Sequence, residues 1–251
     1  MIRLMKADIY RLLHTKGFFA TGLAVMAYAI IQVITETSGG VGINQDLMSP
    51  AGADLKSAVN AAIFSSSILV YIFIGLFVMI IGYEFSQKNY KNSLTAGLSR
   101  FQFVFAKYLS EVIYLTLFIL IYFLTVIVTA YVKFGNTQSD FLSLIMEVLF
   151  LAIAFGLLIS VVFSLATMLL ISMGSLIVGS VFIVFYPLII QIAYSLTSWE
   201  QLKYFDFLGF VQILATGQLT FEEIIPYVIV SAVVTILALM GSALVIRKKE
   251  L

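Results

Sequence analysis

The sequence predicts an all-α integral membrane protein with six transmembrane helices, and three observations carry that prediction. Hydrophobic residues make up 62% of the chain and charged residues only 11%, where soluble domains carry about 25% charge. Six apolar runs are each long enough to cross a bilayer as a helix. The 14 Lys and Arg are also divided unevenly between the segments joining those runs. Arg3, Lys6, Arg11, Lys16, Lys88, Lys91, Arg100, Lys107, Arg247, Lys248 and Lys249 fall on one side, and only Lys56, Lys133 and Lys203 on the other. Basic residues beside spans mark the cytoplasmic face. Both termini and the segment between spans two and three are therefore expected in the cytoplasm.

Residues 1–17 mix cations and apolar residues at helical spacing. Leu4, Met5, Ile9, Leu12 and Leu13 fall largely on one side, the pattern of an amphipathic helix lying in the membrane interface. The first span, Phe18–Ile34, is longer than the 7–15 apolar residues of a signal peptide and reads as retained. Residues 36–60, Gly-rich and holding Pro50, read as an exposed loop with a short helix after Ala51. The second span is expected over Ile63–Gly82 and the third over Val112–Val132, with a helical lead-in from Arg100. The fourth, Phe141–Ile171, is long enough to tilt or to project from the bilayer. Only Ser172, Met173 and Gly174 separate it from the fifth, Ser175–Leu196, which predicts a tight hairpin. Residues 197–223 are too mixed to span, and the sixth span covers Ile224–Ile246. No Gly/Ser-rich or Pro-rich linker divides the chain, so residues 1–251 read as a single domain.

Between spans two and three lies the densest charge in the middle of the chain: Glu84, Lys88, Lys91, Arg100, Lys107 and Glu111. Tyr90, Leu94 and Leu98 recur at i, i+4, i+8, which predicts a short amphipathic helix over 84–96. Gly97 suits its C-terminal cap, because glycine tolerates the left-handed conformation. Ser99 with Gln102 three residues on is a capping-box spacing, so a new helix is expected from Arg100. Lys107 and Glu111, one turn apart, are expected to pair.

This order of features resembles a type-2 ATP-binding-cassette (ABC) permease: a span ending in an acid, a short polar helix, the Leu98-Ser99-Arg100 turn and a following Lys107. The resemblance extends over the whole hydropathy plan and is specific over this island. It implies that the island is the coupling helix that touches a separate ATPase subunit, present in two copies, with a second permease chain, identical or related. Glu84, Lys88, Tyr90, Lys91, Leu94 and Arg100 would then be the ATPase-coupling residues. Tyr90 and Leu94 would project toward the partner, and Arg100 would brace the helix or reach the ATPase itself. Chains of this size are similar to lantibiotic-immunity and bacitracin-resistance permeases. That implies a subunit of an exporter in a bacterial cell membrane, moving amphipathic or antimicrobial peptides or lipid-like compounds. ATP and magnesium would belong to the partner, with no cofactor in this chain.

Within the spans, Ala152, Gly156, Ser160 and Ser164 form a row of small residues, as do Ser231, Thr235, Ala238 and Ser242. Such rows let helix backbones approach closely in lipid; intramolecular packing is the preferred reading over a translocation surface. Glu147 lies about two turns inside the fourth span, roughly 10 Å from Asp140 along the axis. It is either a functional intramembrane acid or a snorkelling acid near the headgroups. As a coupling acid it would carry a different reading, an ion-driven secondary transporter. Pro187 predicts a kink, and Gln191 one turn on either satisfies a freed carbonyl or contacts cargo.

Other chemistries are excluded or disfavoured. The chain has no G-x-x-x-x-G-K-[ST] phosphate loop, no cysteine, and a single histidine, His14. Thiolate and histidine-cluster metal sites and Ser–His dyads are thereby out of reach. The basic island lacks interleaved aromatic platforms, so nucleic acid is not expected as a partner. Membrane lipid is.

Overall fold

Six helices are long and apolar enough to cross a membrane. They come from a computed structural model that describes residues 2–41, 54–87, 89–95, 97–135, 141–216 and 221–249. Every element among the described residues is helical. Helix α1 (Ile2–Leu13) leads within two residues into α2 (Lys16–Thr35), the first span. Glu36, with φ of 52°, ends α2 in the left-handed conformation. Lys133 donates to the α2 carbonyls of Val33 and Ile34 at 3.0 Å each and pairs with Glu36 at 2.6 Å.

Span two begins earlier than its hydropathy predicts. Its first segment, α3, covers Leu55–Ser65, opened by a capping box between Asp54 and Ser57. Hydrogen bonds from Ser57 hold the exposed Asp54 carboxyl below the usual range. Ala58, Val59, Ala61 and Ala62, expected outside the membrane, are buried in the bundle. The row of small residues suits close helix packing there.

The span is not one continuous α-helix. A 3₁₀ turn over Ser66–Ile68 precedes α4 (Leu69–Ile72) and α5 (Ile74–Phe77), and a π turn over Val78–Gly82 precedes α6 (Tyr83–Ser86). Such departures release backbone carbonyls, which must find donors where water is excluded. At the 3₁₀ turn the donors come from three other helices. Gln32 donates to Ala61 O at 3.0 Å, and Tyr28 to Ser65 O at 3.3 Å. The Tyr122 hydroxyl shares its proton between Gln32 Oε1 at 2.5 Å and Ala62 O at 3.1 Å, and Gln212 donates to Phe64 O at 3.2 Å. Tyr122→Phe would leave Gln32 Oε1 buried without that donor, at a cost of about 1–3 kcal/mol. We expect this variant to fold and to melt a few degrees lower in detergent, read as loss of monodisperse protein after heating.

The island follows as α7 (Tyr90–Thr95), then Gly97 at φ +89° and a Ser99–Gln102 capping box that opens α8 (Arg100–Phe134). The helix expected over 84–96 is thus divided: Glu84 belongs to α6, at the end of span two. Span four is α9 (Phe141–Met173), and a turn through Gly174 at φ +68° hands it to span five, α10 (Leu176–Thr197). Lys249, in the last turn of the chain's final helix, donates to Ile171 O at 2.8 Å and caps α9. Helix α10 continues through Pro187. The segment after it holds a 3₁₀ stretch over Glu200–Phe205 and then α11 (Phe207–Thr216). Phe207, Leu208 and Val211 bury α11, which contacts both α3 and α9. Span six, α12 (Phe221–Lys249), packs chiefly on α9 and α8.

The small-residue row of α9 serves packing. Gly156 lies directly against Thr116 of α8, and Ser160 meets the Tyr108 hydroxyl at 3.0 Å. Ser160 and Ser164 are buried, and each also donates to a carbonyl of its own helix.

Candidate functional site at the root of the island

The most polar place in the interior lies where α1, the end of span two and the start of span three meet. Lys107 of α8 is only 2% exposed. It lies 2.6 Å from Asp8 of α1 and 2.5 Å from Glu84 of α6. Arg11 of α1 joins them, 3.1 Å from Glu84 and 3.3 Å from Asp8. Its guanidinium also donates to Met79 O and Ile80 O, both at 3.2 Å. Those carbonyls belong to the π turn, where the backbone bond reaches back five residues, from Tyr83 N–H to Val78 O. Arg11 suits this place because its planar fork serves several acceptors at once.

Two acids and two bases balance in charge, yet the cluster is electrostatically demanding. Burial pushes the Asp8 carboxyl above the usual carboxylate range, against the pull of Lys107. Asp8 Oδ2 and Glu84 Oε2 are buried without hydrogen-bond partners among the described residues. Four residues from Lys107 on the same helix, Glu111 is 0% exposed, and neither of its carboxyl oxygens has such a partner. The expected Lys107–Glu111 pair is therefore not formed. Lys107 reaches across to two carboxylates on other elements, because α1 and α6 present them together on its side of α8.

Above this root stands α7, with its polarity the reverse of the sequence expectation. Tyr90 stacks on Phe85 with ring centroids 4.7 Å apart, and Phe85 in turn meets Phe103 of α8. Tyr90 and Leu94 are half-buried and pack toward the protein body. Apolar groups on a short helix gain more by covering the bundle than by facing water. Lys91, Asn92 and Thr95 face outward instead. Lys91, Leu94, Thr95, Leu98 and Arg100 line a groove of about 360 Å³. Lys88 lies outside the described residues.

The remaining residues singled out by sequence are scattered. Glu147 is exposed on α9, beside exposed Met146 and Phe150, so it faces out of the bundle. Glu147→Gln is accordingly expected to change thermal stability by less than about 0.5 kcal/mol, read as the melting midpoint in detergent. A shift of several degrees in that variant would show that Glu147 has a partner in the bundle. Gln191 is half-buried on α10. Ser160 lies in the α8–α9 contact, and Ser164 is buried on α9. None of these joins the ion cluster.

Sequence reasoning missed Asp8 and Arg11 as members of the ion cluster. One signal was present: Asp8 is the single acid in the first 17 residues, an odd occupant of a basic amphipathic helix. Nothing local marked Gln32, Tyr122 and Gln212, which are 29 or more residues from the carbonyls they serve.

Six helices long and apolar enough to cross a membrane define a multi-pass membrane protein. Residues 42–251 match the family described as a protein of unknown function, DUF2705, and the chain belongs to that family. No curated protein and no solved structure matches it.

Proposed function

We propose that this chain is the membrane-spanning permease subunit of an ATP-driven exporter, with both termini and α7 in the cytoplasm of a bacterial cell. A separate ATPase, in two copies, seats on α7. A second permease chain, identical or related, completes the path for an amphipathic or antimicrobial peptide or a lipid-like compound. ATP and magnesium belong to the ATPase.

One observation carries this reading. Helix α7 presents Lys91, Asn92 and Thr95 outward while its base is tied through Phe85, Glu84 and Lys107 to span two, span three and α1. A push on a short helix so rooted moves three elements together. An ordinary connecting loop needs neither the inward aromatic anchor nor the buried ions beneath it. The basic end of the chain supports the same sidedness. Affinity capture of the tagged chain from its native membrane, in mild detergent, tests the proposal. A nucleotide-binding ATPase is expected to co-purify, and the complex to hydrolyse ATP. A stable, functional chain recovered repeatedly without any ATPase would overturn it.

A further inference from the structure

At the end of the bundle remote from the termini, the chain after α2 folds back over the 3₁₀ turn of span two. Gly39 N–H donates to Ser65 Oγ at 3.0 Å, and Val41 N–H donates to Ser67 Oγ at 2.7 Å. Alternate N–H groups of one segment thus meet two hydroxyls spaced i, i+2. Both hydroxyls give their own protons backward, Ser65 to Ala61 O at 2.9 Å and Ser67 to Phe64 O at 3.4 Å. That leaves each oxygen able to accept from the segment over the turn, and Ser67 Oγ also accepts from Gln212 Nε2 at 3.4 Å. Such a pair reads a backbone and takes no information from side chains.

The centre of the seat is closed to side chains. A Cβ built on Gly40 would collide with Gln212 Nε2 and lie 2.8 Å from the Phe64 ring and 2.9 Å from Phe64 O. Gln212 is only 2% exposed, and its Oε1 has no hydrogen-bond partner among the described residues. Its amide lies against Gly40 with an acceptor still unfilled.

We propose that this crevice is a binding seat for the extended backbone of a glycine-containing peptide, occupied here by the chain's own Gly39-Gly40-Val41. Ser65 and Ser67 take alternate N–H groups, Gln212 Oε1 offers a third acceptor, and the lack of room at the centre selects glycine. The attached segment acts as a resident competitor. A short tether holds it at an effective concentration on the order of mM, so a free peptide at µM does not enter while it is seated. That the natural occupant is cargo rests on the exporter reading above; the seat itself does not.

The test is peptide binding to the full chain in nanodiscs, with fluorescein-labelled Thr-Ser-Gly-Gly-Val as the probe. Gly40→Ala evicts the segment, so it should bind the probe at least about tenfold more tightly than the parent. Its Gly39 and Val41 amides should also exchange hydrogen faster. Adding Ser65→Ala and Ser67→Ala should abolish the gain, and Thr-Ser-Gly-Ala-Val should bind about tenfold more weakly. If Gly40→Ala does not fold, Gly39→Pro removes the donor to Ser65 and evicts the segment by a different route. Equal binding with and without the two serines would overturn the seat. So would no binding to an evicted variant, or eviction failing in a folded Gly40→Ala protein. ATPase capture is read separately: an orphan permease that still binds the probe sinks the exporter, and a captured ATPase without probe binding sinks the seat.

Discussion

Lys107→Met is expected to lower the melting midpoint of the detergent-solubilised protein by roughly 6–20 °C, or to prevent its accumulation altogether. Among the described residues, Lys107 is the one cation in contact with both Asp8 and Glu84 that is itself enclosed. Without it two carboxylates stay buried, with only the half-exposed Arg11 beside them. Breaking a buried pair by removing one partner costs about 3–5 kcal/mol, and each kcal/mol corresponds to about 2–4 °C in a chain of this size. The sharper test is rescue. Removing the three enclosed charges together, as Asp8→Asn, Glu84→Gln and Lys107→Met, should recover most of the lost midpoint, since the one ion left in the cluster, Arg11, is half-exposed and keeps its bonds to Met79 O and Ile80 O. A single Lys107→Met protein that melts like the parent would show that the cluster contributes nothing to the fold.

Under the proposed docking of an ATPase on α7, reversing its outward side, as Lys91→Glu with Thr95→Glu, should reduce ATPase recovery about 30-fold or more and stop transport. The midpoint should not move. Interfaces concentrate their energy in a few side chains, and a loss of about 2 kcal/mol at such a centre is roughly 30-fold in affinity. Both residues are exposed, so the fold has little to lose. Tyr90→Ala with Leu94→Ala should also uncouple the partner, by another route. Tyr90 anchors α7 to Phe85, and through it to Phe103, so the helix comes away from its root. The two double variants differ in a measurable way: only the second should increase proteolysis around residues 87–99. ATPase recovery and transport at parental levels in Lys91→Glu/Thr95→Glu would remove α7 as the coupling surface.

Much of the architecture is written locally. The number and order of the spans, the Ser99–Gln102 box, Gly97 and the Gly174 hairpin depend on hydropathy and backbone preferences within a few residues, and they stand where the sequence placed them, while span two starts earlier. The site is different in kind. Lys107 meets an acid 99 residues away and another 23 residues away rather than its neighbour one turn on. Arg11 reaches two carbonyls of the π turn, 68 and 69 residues distant. Tyr90 and Leu94 have the spacing of an amphipathic face, but spacing does not say whether that face meets a partner or the protein's own body. Side-chain pattern thus defined which segments are helical and apolar. Which charges are neutralised, which carbonyls are released and which face of α7 is free depended on how the helices pack, because buried ions and broken turns are stable only with partners brought from distant parts of the chain.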